Sequence, residues 1–284
     1  MPNQYDPRLT PARDDLAADF LRSTVNAANY VKGATKCVAA ASAPLHTSPD
    51  ASSQRATELL MGEAFVVYEE KDGWAWGQAL MDDYVGYVPS ATLGVTDDPV
   101  SHKVAVLRTF VYAEPDLKSQ MLEPLSLGSM VTAGNIHDSF TQIQNGGWIF
   151  TDHLKTVSDL EGDYLTTAIR FIGVPYLWGG RTSLGLDCSG LVQLALQAAG
   201  VGDPRDTDMQ ELALGREVDP NPASMERGDL VFFPGHVGII VDQGTLLHAN
   251  AWDMMVSPHP LRFVVAEIAK KQEQPITSVR RLTK

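Results

Sequence analysis

The stretch Leu186-Asp187-Cys188-Ser189-Gly190-Leu191-Val192-Gln193-Leu194-Ala195-Leu196 decides how the rest of the chain is read. Leu191, Val192, Leu194, Ala195 and Ala198 recur at helical spacing, and Gly200 stands just past the last of them, where helices stop. Asp187 is a residue type that caps a helix N-terminus, so Cys188 falls in the first turn. Unpaired backbone N–H groups and the positive end of the helix dipole favour an anion there. A thiolate is such an anion, so this position is expected to lower the thiol pKa and make it reactive at neutral pH. A lone cysteine in an apolar helix is otherwise a small buried hydrophobe; the downstream sequence separates the two readings.

Gly228-Asp229-Leu230-Val231-Phe232-Phe233 reads as a strand entered through a turn. Pro234-Gly235-His236-Val237-Gly238-Ile239-Ile240-Val241 reads as a second strand with His236 at its start. Gln243-Gly244 is a hairpin turn, and Leu246-Leu247-His248-Ala249 opens a third strand. Neighbouring antiparallel strands can thus set His236 beside Cys188 and His248 behind His236. That is the arrangement of nucleophile, base and orienting group in a thiol hydrolase. A zinc site from the same three residues lacks the closely spaced ligand pairs such sites use, and no metal or cofactor is expected. Asp229 is expected to hold the turn into its strand, and His46, His102, His137, His153 and His259 are read as surface or packing residues. The last segment, Ile276-Thr277-Ser278-Val279-Arg280-Arg281-Leu282, alternates like a final sheet strand.

From about Leu160 onward the chain resembles an NlpC/P60 cysteine peptidase domain. The resemblance rests on Pro175-Tyr176-Leu177-Trp178-Gly179-Gly180, Asp187-Cys188-Ser189-Gly190-Leu191, Gly228-Asp229-Leu230, His236-Val237-Gly238 and His248-Ala249, taken in this order and spacing. It implies an α+β, papain-like core, a triad of Cys188, His236 and His248, and cleavage of peptidoglycan stem peptides. It also implies that Tyr176 sits at the oxyanion site, donating its hydroxyl to developing charge alongside the Cys188 N–H. Trp178 is expected to line the same cleft.

The chain has 284 residues, 44% of them hydrophobic and 20% charged, enough for a sizeable core in one to three domains. With 35 acidic against 22 basic residues the net charge is −13, which argues against nucleic acid or an anionic membrane surface as a partner. Two cysteines, Cys37 and Cys188, make no disulfide framework. The N-terminus has no apolar leader and no run approaches the ~18 apolar residues of a membrane span. The expectation is a cytoplasmic protein, with non-classical release still open.

Residues 12–30 carry Leu16, Phe20, Leu21, Val25 and Tyr30, which predicts an amphipathic helix within an N-terminal arm over 1–37. Short strands and turns follow, with a faint repeat: Pro49-Asp50 recurs as Pro115-Asp116, and Gly86-Tyr87-Val88-Pro89 recurs as Gly147-Trp148-Ile149-Phe150. Each copy is about 60 residues, the size of a small β-barrel, and resembles a bacterial SH3 (SH3b) domain. The expected organisation is barrels over 38–98 and 99–158, then the peptidase domain over 159–284. That domain should open with a helix carrying Leu165, Ala168, Ile169 and Phe171 and ending near Gly173.

The resemblance carries further expectations. In members that require a free N-terminal L-Ala, an Asp-Ser pair follows the nucleophile helix; Asp206-Thr207 is similar, with Thr for Ser, and its carboxylate would pair with the ammonium group. From residues alone Asp206 could equally cap a helix. Asp187 and Ser189 would add polar contacts to substrate. Tyr84, in Asp82-Asp83-Tyr84-Val85-Gly86-Tyr87, would shape the pocket, whereas by its pattern it could as well be a barrel aromatic. The implied substrate is L-Ala-γ-D-Glu-diamino acid, with meso-diaminopimelate or L-Lys in third place, cut after γ-D-Glu during murein peptide recycling. The competing readings are an exported wall endopeptidase acting on polymer, a wall-peptide binding protein with an inactive peptidase domain, and an acyltransferase or amidase on the same core.

Overall fold

The computed structural model describes residues 5–95, 99–202 and 204–282. The chain divides into two compact units, Met1–Ser158 and Asp159–Lys284. The expected boundary after residue 98 falls outside the described residues.

The helix expected over 12–30 does not form. Leu16–Ala18 is instead a short strand paired in parallel with Asn29–Val31, followed by a single 3-10 turn at Asp19–Leu21. Leu16, Ala17 and Ala18 are buried in succession, whereas Phe20, which a helical stripe would cover, is 68% exposed. The segment between the strands, with β-branched Thr24 and Val25 and the turn former Asn26, has weak helix propensity.

Barrel one is an antiparallel sheet running, in spatial order, Arg55–Leu60, Ser42–His46, Val85–Pro89, Trp74–Ala79, Ala64–Lys71, Ala34–Val38 and Leu93–Gly94. It therefore begins at Ala34, ahead of the expected residue 38. The hairpin between Lys71 and Trp74 turns through Asp72-Gly73, both at positive φ (50° and 82°), the geometry that an Asp-Gly pair favours. Inward residues Val38, Leu45, Leu59, Phe65, Val88 and Tyr84 form its core.

The second copy splits into a five-stranded and a three-stranded sheet around Val104, Val111, Leu125, Val131, Ile143 and Ile149, with Met61 of barrel one in the same cluster. The repeat seen in the sequence has a local counterpart. Val85–Pro89 and Trp148–Phe150 each run into a 3-10 turn, through Pro89 at φ −59°, ψ 124° and Phe150 at φ −59°, ψ 123°.

The second unit is α+β. Its helices are α1 (Tyr164–Ile169), α2 (Cys188–Ala198), α3 (Thr207–Ala213) and α4 (Leu261–Ala269). Its sheet orders Arg216–Val218, Ser278–Arg281, Leu230–Phe233, His236–Asp242, Thr245–Asn250 and Met255–Pro260, all antiparallel. Leu230–Phe233 is buried throughout, so the sheet centre is covered on both faces. Asp229 accepts from the Glu226 N–H and from Arg281, tying the strand entrance to the last strand. α2 packs across the His236–Asp242 and Thr245–Asn250 strands, which brings its N-terminus to the histidines. A Cβ at Gly190 would meet the Gly180 carbonyl oxygen at 2.5 Å, so only glycine lets α2 lie this close to the preceding segment. Among the described residues no helix is long and apolar enough to cross a membrane.

Candidate active site

Cys188 is the first residue of α2, and Asp187 caps the helix by accepting from the Gly190 N–H at 2.8 Å. The Cys188 N–H belongs to the first turn, where no intrahelical acceptor exists. The sulfur accepts a hydrogen bond from the Val237 backbone N–H and lies 3.9 Å from the Thr207 hydroxyl. The thiol therefore rests against the residue that follows His236.

His236 Nε2 lies 2.7 Å from His248 Nδ1, which leaves Nδ1 of His236 as the ring nitrogen able to serve the thiol. The hairpin register sets this up: both histidines lie on adjoining strands, Phe233 pairs with His236, and the Phe233 ring lies 5.9 Å from the imidazole. His248 is fully buried. His236 keeps a partly open edge, yet burial dominates and pushes its imidazole down to about 4. Burial, with His236 and His259 beside it, pushes His248 down to about 2.

The expected lowering of the thiol pKa is not what the site does. Cys188 is 7% exposed, and burial, reinforced by the Asp187 carboxylate, pushes the thiol up to about 11 against the opposing pull of the Val237 N–H, Thr207 and Arg205. Desolvation outweighs the helix terminus. In the free protein burial thus favours a neutral thiol at Cys188 and a neutral imidazole at His236.

Tyr176 is held by its N–H donating to the Met254 carbonyl at 2.8 Å. Burial raises its phenol pKa, and Cys188 and Asp187 are the charges that raise it further. It stays a protonated donor close to the nucleophile, as an oxyanion group must. Trp178 is 60% exposed beside Gly179, whose N–H donates to Asp187 at 2.8 Å.

Asp187 and Ser189 do not present free polar groups. Arg205, 1% exposed, donates to both Asp187 oxygens at 3.0 and 2.7 Å and to the Ser189 hydroxyl at 2.8 Å. The Ser189 hydroxyl donates onward to Asp187 at 3.3 Å. These two side chains, expected to touch substrate, are buried and bonded to Arg205, and so help hold the nucleophile helix. Asp206 is half-buried at the N-cap of α3 and makes no side-chain cap bond there; Thr207, next in the chain, faces the thiol. Asp203 of the same loop lies outside the described residues. Tyr84 is 5% exposed within the core of barrel one, which is the packing reading of that residue.

Two groups escaped the sequence reading. Arg205, next to Asp206, has no feature in the sequence that marks it, and only its burial reveals it. His259, read as a surface or packing residue, lies with Nδ1 2.9 Å from His248 Nε2 and with Nε2 3.2 Å from Asp253 Oδ2. The signal that could have found it is register: Leu246 pairs with His259, putting it on the strand beside His248.

A buried cysteine at a helix N-terminus, backed by a histidine pair on an antiparallel sheet, defines a papain-like cysteine peptidase. Residues 173–271 match the NlpC/P60 family, and residues 45–93 match the bacterial dipeptidyl-peptidase Sh3 domain. The chain carries an NlpC/P60 cysteine peptidase domain together with a bacterial SH3 domain. It is 28% identical over 238 residues to dipeptidyl-peptidase 6 of Lysinibacillus sphaericus, covering 75% of this chain and 86% of that protein. It is 28% identical over 216 residues to the gamma-D-glutamyl-L-lysine dipeptidyl-peptidase of Bacillus subtilis strain 168, covering 68% and 71%. An NlpC/P60 family protein from Bacillus cereus ATCC 10987 shares the fold, with a TM-score of 0.75 at 19% identity over 88% of this chain and all of the other.

Proposed function

We propose that this peptidase hydrolyses the bond between γ-D-Glu and the diamino acid of L-Ala-γ-D-Glu-diamino acid stem peptides whose N-terminal amine is free, in recycling of released wall peptides. The observation that carries the reading is the 3.9 Å approach of the Thr207 hydroxyl to Cys188 Sγ. Asp206 is the neighbouring residue, at the N-cap of α3, and a carboxylate there supports recognition of an ammonium group two residues upstream of the scissile bond. The name of the Bacillus subtilis relative, gamma-D-glutamyl-L-lysine dipeptidyl-peptidase, supports this bond with L-Lys in third place, and that of the Lysinibacillus sphaericus relative supports release of a dipeptide.

Cys188 Sγ attacks the γ-D-Glu carbonyl carbon as its proton passes to His236 Nδ1. The carbonyl oxygen becomes an oxyanion held by the Cys188 N–H and the Tyr176 hydroxyl. Collapse breaks the C–N bond, and the departing amine of the diamino acid takes the proton from His236. Water, deprotonated by His236, then cleaves the thioester, releasing L-Ala-γ-D-Glu and restoring the thiol. His248 keeps His236 oriented through both half-reactions.

Mass spectrometry of products from L-Ala-γ-D-Glu-meso-diaminopimelate and L-Ala-γ-D-Glu-L-Lys, each free and N-acetylated, tests this reading. Release of L-Ala-γ-D-Glu from the free peptides alone is expected. Equal cleavage of the acetylated peptides would point to an open-cleft wall endopeptidase and overturn the amine requirement.

A further inference from the structure

The histidine pair does not end at His248. His236 Nε2 meets His248 Nδ1 at 2.7 Å, His248 Nε2 meets His259 Nδ1 at 2.9 Å, and His259 Nε2 meets Asp253 Oδ2 at 3.2 Å. His248 and His259 each use both ring nitrogens, so the chain is directional. A carboxylate accepts and does not donate. With His259 neutral, Asp253 fixes its proton on Nε2, which makes its Nδ1 an acceptor. His248 must then carry its proton on Nε2 and accept at Nδ1. His236 in turn must carry its proton on Nε2, so its Nδ1 holds a lone pair. Run in the opposite sense, the chain would put the His236 proton on Nδ1 and leave no base for the thiol.

We propose that Asp253 and His259 are positioning residues of the peptidase: acting through His248, they hold His236 in the one neutral tautomer whose Nδ1 can take the Cys188 proton. The inference uses the cysteine-peptidase chemistry of the proposed function and no assumption about the peptide cleaved.

The carboxylate is itself fixed. Asp253 Oδ2 accepts from the Ser257 hydroxyl at 2.6 Å, Ser257 accepts from Asn250 Nδ2 at 2.9 Å, and Asn250 Oδ1 accepts from the Asp253 N–H at 2.9 Å. The Trp252 ring lies 6.3, 5.7 and 6.4 Å from the His236, His248 and His259 rings, and Phe263 lies 5.3 Å from His259. These rings flank the three imidazoles, while the Asp253 carboxylate at the end of the line is 39% exposed. When His236 accepts the proton, the positive charge faces a line of dipoles ending on a carboxylate, and no proton has to leave His236 Nε2.

The test combines 15N NMR of the imidazoles with kinetics on the full chain. The His236 signals are assigned by their loss in His236→Gln. Wild type is expected to show the Nε2–H tautomer without substrate present. Asp253→Asn, whose amide can donate or accept, should show a mixture of tautomers and a kcat lower by at least about tenfold, with KM within about twofold; replacing the orienting carboxylate of a serine peptidase by an amide costs about 10⁴ by the same tautomer logic. Asp253→Glu should restore the single tautomer and most of kcat. An Nδ1–H His236 in wild type overturns the proposal whether or not any variant folds. So does an unchanged tautomer in Asp253→Asn, even if that variant is less stable. The NMR needs no substrate, so a failure of the stem-peptide assignment appears separately, as wild type that cleaves none of the peptides.

Discussion

Arg205 grips Asp187 from inside the peptidase unit: Nη2 lies 2.7 Å from Oδ2 and Nη1 3.0 Å from Oδ1, with side-chain exposures of 1% and 10%. The same carboxylate accepts the Gly179 and Gly190 N–H groups, so one buried ion pair fixes both the cap of α2 and the approach to it. Removing one partner of such a pair leaves a desolvated charge behind. Arg205→Met is expected to lower the unfolding free energy by about 3–5 kcal/mol, measured by urea denaturation. The double variant Arg205→Met/Asp187→Asn should lose less than the two single changes added together, because it leaves no lone charge.

The raised thiol predicts slow labelling at neutral pH. With the thiol pushed up to about 11 and His236 down to about 4, both by burial, few molecules hold a thiolate at pH 7. Alkylation of Cys188 by iodoacetamide should climb about tenfold per pH unit between pH 7 and 10, following the thiolate fraction. A rate already flat from pH 6 upward would mean a resting thiolate–imidazolium pair.

The buried histidines also predict acid sensitivity. His236 and His248 sit below the ordinary value of 6.5, at about 4 and about 2. Between 6.5 and these values the unfolded chain binds protons that the folded chain does not. Their contribution to stability is therefore complete above about pH 6.5 and is lost as pH falls toward 4 and below. The thermal midpoint of His248→Asn should fall less steeply than that of wild type over this window.

Tyr176 tests the oxyanion assignment. Its pKa is raised mainly by burial, so the phenol stays protonated across the working range. Tyr176→Phe removes the donor and little volume, and kcat is expected to fall about 10²-fold with KM little changed. An equal kcat would place the oxyanion elsewhere.

Much of this site was legible in the sequence because it depends on local rules. The apolar spacing after Cys188, the cap at Asp187 and the stop at Gly200 mark α2, and Gly200 has a positive φ of 77°. The hairpin of His236–Asp242 and Thr245–Asn250 follows from alternation and the turn at Gln243-Gly244. The helix over 164–169 ends before Phe171, which is buried without being helical. What the sequence hid depends on the third dimension. The helix terminus alone points to a lowered thiol pKa, and burial reverses that direction. Asp187 and Ser189 read as polar groups beside the nucleophile, and the arginine that bonds both, Arg205, stands sixteen and more residues further along the chain. His259 had no local feature to distinguish it, since its partner lies on the next strand. The arm misled because Leu16, Phe20 and Tyr30 sit at helical spacing, while Leu16 and Tyr30 belong to two strands that pair with each other.

The most direct measurement is the site of acylation. Wild type and Cys188→Ala are mixed with the free L-Ala-γ-D-Glu-meso-diaminopimelate peptide, quenched in acid within the first turnover, digested and analysed by mass spectrometry. The account predicts an L-Ala-γ-D-Glu acyl group on the Cys188 peptide of wild type, with no adduct and no product from a folded Cys188→Ala. Product formed at the wild-type rate by Cys188→Ala, or the acyl group on another residue, would contradict it.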